Sequence, residues 1–120
     1  MNIRYSEIIR KKAYAEANIQ AEFYKLCRDS KIQILLEVKY EDCRFDAVVF
    51  LEDVPVAIVE VKNFSYATSM RGLNKTGRQF KKYSRYGMPV IALLNSKQII
   101  PRFNQLLEII ERKQHEKQHI

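Results

Sequence analysis

The spacing of apolar residues switches from helical to alternating and back along the chain, and that rhythm alone outlines the elements. Between Ser6 and about Arg28 there is neither proline nor glycine, and Ile19, Phe23, Leu26 and Cys27 recur at three- and four-residue intervals, the buried stripe of a helix. Ser6, just ahead of Glu7 and Ile8, suits an N-cap. Asp29-Ser30-Lys31 interrupts the helical pattern, and from Ile32 to Tyr40 the alternation of Ile32, Ile34 and Leu36 with Gln33 and Leu35 predicts a first strand. Glu41-Asp42 turns the chain into a second run, Cys43 to Leu51. Glu52-Asp53-Val54-Pro55 then leads to a third, which ends Glu60-Val61-Lys62-Asn63. A polar stretch from Phe64 to about Lys75 is long for a connection in a compact domain. Thr76-Gly77 opens a helix that runs through Tyr86 and is closed by Gly87. Met88 to Asn95 is a strongly apolar strand, and Asn95 or Ser96 can cap a last helix beginning near Pro101, with Phe103, Leu106, Leu107 and Ile110 on its core side.

Three strands joined by short turns, then a helix and a fourth strand, predict one α/β domain spanning residues 1–120. Its expected architecture is a mixed sheet of about four strands, antiparallel at the hairpins and parallel at the crossover, with helices on both faces. Beyond Glu111 the apolar stripe stops, so residues 112–120 are expected to be a frayed polar tail. His115 and His119, though four apart, are read as part of that tail and not as metal ligands.

Charge inside the apolar strands changes the picture. Asp46 sits in the second strand, Glu60 and Lys62 at the end of the third. Alternation puts Asp46, Val48 and Phe50 on one face, and Val56, Ile58, Glu60 and Lys62 likewise on one face. Whether the two sets meet depends on register. Pairing Leu51 with Pro55 leaves a three-residue turn and brings Asp46 opposite Glu60, whereas a two-residue turn separates them. No glycine is present for a three-residue hairpin, so a longer loop or a bulge that keeps the even register is expected. Two carboxylates held together in a covered sheet repel and lose solvation, and Lys62 with a hard divalent cation would offset that cost. The alternative is a pair of solvent-facing acids with Lys62 as a cross-strand partner.

An aspartate, a hairpin turn and Glu-x-Lys closing an apolar strand resemble the signature of the PD-(D/E)-x-K nuclease superfamily, which shares the fold of type II restriction enzymes. The stretch from Arg44 to Ile99 is similar to the nuclease domain of the motor subunit of type I restriction enzymes. It carries Asp46, Pro55, Glu60-Val61-Lys62-Asn63, then Gln79-Phe80-Lys81-Lys82-Tyr83 and the strand from Met88 to Asn95. The Gln-x-x-x-Tyr element is shared with RecB-type nucleases. Phe45 stands where the name of the motif has proline.

The resemblance implies a magnesium-dependent deoxyribonuclease, with manganese as a possible substitute. Asp46, Glu60 and the Val61 carbonyl would hold the metal, Lys62 would act on the attacking water and the phosphate, and Gln79 and Tyr83 would orient the nucleotide or Lys62. Glu22 is the position that matches the family's glutamate of the first helix. A non-catalytic nucleic-acid-binding module, or a partner subunit of a larger restriction or mobile-element complex, is the competing expectation, and a double-strand cut by one domain would call for a homodimer or two visits.

Charge agrees with a polyanionic partner: 21 Lys and Arg against 14 Asp and Glu give a formal +7. Lys75, Arg78, Lys81, Lys82 and Arg85 form the densest basic cluster and, with Arg71 of the preceding stretch, are the expected DNA contacts. Cys27 and Cys43 lack metal-ligand spacing and are expected to be reduced and partly buried. No apolar run reaches the length of a membrane span, and no signal-peptide pattern is seen. The expectation is therefore a soluble, cytoplasmic protein. Three glycines in all nearly exclude a phosphate-cradling loop, and two histidines confined to the C-terminal stretch disfavour a serine nucleophile.

Overall fold

The structure is a computed structural model that describes the backbone of residues 5–62, 78–79 and 81–118, and side chains from residue 14 through 117 within those spans. Helix α1 (Tyr5–Asp29) is followed by strands β1 (Gln33–Tyr40), β2 (Cys43–Leu51) and β3 (Val54–Val61), then strand β4 (Val90–Leu93) and helix α2 (Ile99–Gln118). The four strands form one sheet in the order β1-β2-β3-β4, antiparallel at the first two contacts and parallel at the last. This is the expected α/β architecture.

Both long helices pack on one face of the sheet. Ile19, Phe23 and Cys27 of α1 and Ile99, Phe103, Leu106 and Ile109 of α2 close over Ile34, Val49, Ala57, Val59, Ile91 and Leu93. Phe23 and Phe103 meet edge to face, with ring centroids 6.2 Å apart. The opposite face is covered by residues 78–86, helical where described and finishing in a 3-10 turn at Ser84–Tyr86. Tyr83 and Tyr86 rest there on Cys43, Phe45, Val48 and Ile58. Gly87 ends the segment at φ 68°, its N–H donating to the Ser84 carbonyl, so the expected glycine cap is present. Among the described residues the cover on this face is partial, and an apolar cavity of about 420 Å³ opens beside Tyr86, Phe45 and Met88.

The β2–β3 hairpin resolves the register question in an unexpected way. The turn has only two residues, Glu52 and Asp53, both in the left-handed region at φ 49° and 67°, and Leu51 pairs with Val54. Alone, that turn would place Asp46 and Glu60 on opposite faces. One bulge corrects it: Phe50 pairs with Pro55, but Val49 pairs with Ala57, so Val56 is an extra residue on β3. Val56 and Ala57 consequently both point into the helix-covered core, and Val56 does not share a face with Ile58 and Glu60 as simple alternation predicts.

A second irregularity lies between β1 and β2. Leu36 pairs with Ala47 and Val38 with Phe45, yet the pair between them, Glu37 and Asp46, drops out. Glu37 stands at φ 53°, a conformation that L-residues adopt at a cost. The sheet changes face there. Ile34 and Val49 face the long helices, whereas Val38, Phe45 and Cys43 face Tyr83 and Tyr86.

Several boundaries move. Residue 5 is already helical, which puts Ser6 inside α1. Helix α2 begins at Ile99, two residues before Pro101, and Asn95 is the residue whose side chain caps the 3-10 turn that leads into it. Residues 112–118 are helical, so the expected frayed tail is corrected: Lys117 pairs with Glu52 at 2.7 Å and Lys113 with Glu116 at 3.4 Å, extending a helix whose apolar stripe has ended. In α2, Ile109 is buried and Leu107 is 41% exposed, a rotation of the expected core side by part of a turn.

A left-handed residue inside a strand makes a sharp expectation. Replacing Glu37 with valine, normally a good strand former, should cost roughly 1–3 kcal/mol because a β-branched side chain does not tolerate positive φ. Lys39→Val on the same strand should be near neutral. Urea unfolding of the two variants measures the difference.

Candidate active site

Strand β3 is buried on both faces over its last six residues, and Glu60 is the buried charged residue among those described, at 3% exposure. Its position follows from the apolar run that carries it: Val56 to Val61 must sit in the middle of the sheet, and Glu60 goes with them. The β2–β3 pairing stops at Ala47 and Val59. The next inward amide of β3, that of Val61, donates 2.7 Å to Asp46 Oδ2 in place of a β2 carbonyl. Continuing the bulge-corrected register brings Asp46 opposite Glu60. Lys62 Nζ lies 3.8 Å from Glu60 Oε1, and the Lys62 amide is fixed by the Leu93 carbonyl at 2.9 Å.

The three signature residues therefore converge, and Tyr83 joins them. Tyr83 is 2% exposed, its hydroxyl donates to the Arg44 carbonyl at 2.9 Å, and its ring packs on Phe45 at 4.9 Å. Phe45 thus builds the wall against which Tyr83 is seated. The Tyr83 hydroxyl donates to the Arg44 carbonyl and also lies close enough to Glu60 to favour its charged form. Glu60 Oε2 is buried without a hydrogen-bond partner, and so is Gln79 Oε1. Gln79 and Tyr83, four apart, present one face of their helical segment.

Electrostatics follow from burial. Loss of solvation, then repulsion from Asp46, pushes the Glu60 carboxyl up to about 8, with Lys62 pulling the other way. Loss of solvation also raises Asp46, against the stabilising Val61 amide, and the nearby charges of Glu37 and Glu16 add to the rise. Burial, with the charges of Glu60 and Asp46, raises Tyr83 and keeps its proton in place.

The glutamate of the first helix needs correction. Glu22 is exposed, whereas the α1 acid whose charge reaches Asp46 is Glu16. At about 3.6 residues per turn, Glu16 and Gln20 fall on the side of α1 that carries Phe23 and Cys27, and Glu22 lies well away from it. Gln20 is the other residue missed: its Nε2 donates 2.8 Å to the Asp46 carbonyl and 3.1 Å to Glu37 Oε1. The i, i+4 pair Glu16 and Gln20 beside the Ile19–Phe23 stripe was the available signal.

The basic cluster divides. Arg71 and Lys75 lie outside the described residues. Arg78 and Lys81 are exposed. Lys82 and Arg85, by contrast, are engaged within the chain at its surface: Lys82 donates to the Asp42 carbonyl at 2.8 Å and pairs with its carboxylate at 3.2 Å. Arg85 bonds the Asp42 carboxylate and the Tyr86 hydroxyl, and lies near Glu41 and the buried Cys43 thiol. These contacts strap the segment carrying Gln79 and Tyr83 to the β1–β2 turn. Arg85, then Lys82, holds the Asp42 carboxyl down to about 2. Cys27 and Cys43 are both free and buried. Among the described residues no helix is long and apolar enough to cross a membrane.

Among the described residues no group of three His, Cys, Asp or Glu side chains is placed to hold a metal ion, and the carboxyl groups that meet beside Lys62 are those of Asp46 and Glu60. Magnesium commonly takes one or two carboxylates and keeps several waters, and an all-oxygen pair with an unpartnered buried oxygen suits it.

Glu60 makes stability depend on pH with a definite sign. Below its ordinary value of 4.5 the carboxyl is protonated in both states. From there to about 8 the unfolded chain releases the proton and the folded chain keeps it, so stability falls as pH rises and levels off above about 8. Glu60→Gln should remove most of this slope, as read from urea midpoints between pH 5 and 8 in chelator. Asp42 acts in the opposite sense only in strong acid, and weakly because it is exposed.

Compared with known proteins, the chain matches no family model, no curated protein and no solved structure.

Proposed function

We propose that the chain is a metal-dependent nuclease that hydrolyses DNA phosphodiester bonds at the Asp46, Glu60 and Lys62 site. One observation carries the reading: a buried glutamate with an unpartnered oxygen is brought beside a second carboxylate and an ammonium group, and a bulge restores the register that a two-residue turn would have broken. A protein that needed only a stable sheet would be better served by an apolar residue at position 60, since a buried acid beside another acid is costly.

Asp46, Glu60 and the Val61 carbonyl would hold magnesium, or manganese in its place. The ion would lower the pKa of a bound water and offset negative charge on the phosphate oxygens. Lys62, 24% exposed at its side chain, can reach a phosphate at the surface while its ammonium stays near Glu60. In hydrolysis a water oxygen bonds to phosphorus, the bond from phosphorus to the leaving sugar oxygen breaks, and that oxygen takes up a proton. Lys62 orients the water and balances charge as it develops. Gln79 would orient the nucleotide or Lys62, while Tyr83, buried with its hydroxyl on the Arg44 carbonyl, backs the site from within. Glu16, in place of Glu22, is the helix-α1 acid of the site.

Within the described part of the basic cluster, Arg78 and Lys81 are exposed to meet the phosphate backbone, while Lys82 and Arg85 fix the helical segment.

With supercoiled plasmid and single-stranded DNA in magnesium, the wild type should cleave, and Glu60→Gln and Lys62→Ala should each lose roughly a hundredfold or more in rate. Equal activity in all three, or none in the wild type, would overturn the reading. Arg78→Ala and Lys81→Ala should each lower the slope of log affinity against log salt by about one. Arg85→Ala should instead lower the unfolding midpoint.

A further inference from the structure

The point at which β1 and β2 lose a pair is held by one side chain from a different layer. Gln20 has a single amide nitrogen with two protons, and both are used: one on the Asp46 carbonyl at 2.8 Å, the other on Glu37 Oε1 at 3.1 Å. Those acceptors belong to the two residues missing from the β1–β2 register. Glu37 is gripped on its far side by Arg44, at 3.1 Å from Nε and 3.0 Å from Nη2 to Oε2. The left-handed backbone of Glu37, which in most strands would be a weak point, is therefore over-determined from two directions.

We propose that Gln20 is a positioning residue for Asp46: by supplying the donor that the broken β1–β2 pair no longer supplies, it sets the Asp46 backbone so that Oδ2 meets the Val61 amide.

The chemistry of the side chain is specific. A glutamate at position 20 would add negative charge beside Asp46, Glu37 and Glu16, whose charges already bear on one another. An apolar residue would leave the Asp46 carbonyl, part-buried, without its donor. The amide supplies two neutral donors. Asp46 is thus fixed twice, through its carbonyl by helix α1 and through its carboxylate by strand β3. This clamp ties α1 to the site by a contact that is independent of the core stripe.

The proposal deepens the nuclease reading but has a readout that does not depend on it. In chelator, the Val61 amide proton reports the length of its bond to Asp46. Gln20→Met, of equal length and without donors, should move that resonance upfield. Gln33→Ala, which removes the bonds to Asp53 at the far hairpin turn, should not. Gln20→Lys, which restores a donor of similar reach, should move it back. Should Gln20→Met fail to fold, Gln20→Asn, which withdraws the amide by one methylene, serves for the same measurement. A folded variant with the Val61 resonance unmoved would overturn the proposal. Manganese titration then separates the two ideas: Gln20→Met should weaken binding roughly tenfold, with Gln33→Ala unchanged. A wild type that binds no manganese, but whose Val61 resonance still depends on Gln20, would remove the metal reading and leave the positioning role standing.

Discussion

A carboxyl group kept out of water beside another carboxyl group is the constraint around which this molecule is arranged. Glu60 rides into the sheet on an apolar strand, and once there it is opposed by Asp46 and only partly compensated by Lys62. The surroundings are shaped to hold this tension and not to relieve it. Tyr83 gives its proton to a backbone carbonyl, and Val61 gives its amide to Asp46, so Glu60 is left with an oxygen that nothing in the described structure satisfies. Unsatisfied buried oxygen is uncommon in native proteins, and it is where an external ligand gains most.

The supporting layers divide the work between two faces. On the first, long helices and aliphatic strand residues form a packed core that makes no chemical demand on the site beyond rigidity. On the second, a short aromatic segment carries Tyr83, and its hold on the sheet is polar as much as apolar. Arg85 and Lys82 converge on Asp42, and Phe45 fills the space beneath the rings. Charges that look from the sequence like a surface for a polyanion are partly internal fastenings. That leaves fewer free cations on this segment than the composition suggests, and shifts the weight of any phosphate contact to Arg78 and Lys81.

Much of this was legible in the chain because it obeys simple periodicity. The Ile19, Phe23 and Cys27 stripe, the strand order, the glycine cap at Gly87 and the shared face of Glu60 and Lys62 each follow from spacing and residue type. What escaped was departure from periodicity. Glu37 adopts a left-handed backbone with nothing in its side chain to announce it, and the resulting change of face is what brings Gln20 to Asp46. Glu22 adjoins Phe23 in the chain, but at about 3.6 residues per turn it lies away from the side of α1 that carries Glu16, Gln20 and Phe23, so adjacency in sequence misled where helical angle would not have. The helical residues 112–118 were hidden because their support is ionic and comes in part from Glu52, more than sixty positions away in the chain.

The bulge at Val56 has a consequence for how such a hairpin can change over generations. Turn length and bulge are two odd steps that cancel, so neither can be lost or gained by itself without turning an acid away from its neighbour. Insertions and deletions in this hairpin are tolerated only in matched pairs, or together with a compensating change on the opposite strand. Parity, more than the identity of Glu52 or Asp53, is what this hairpin has to keep.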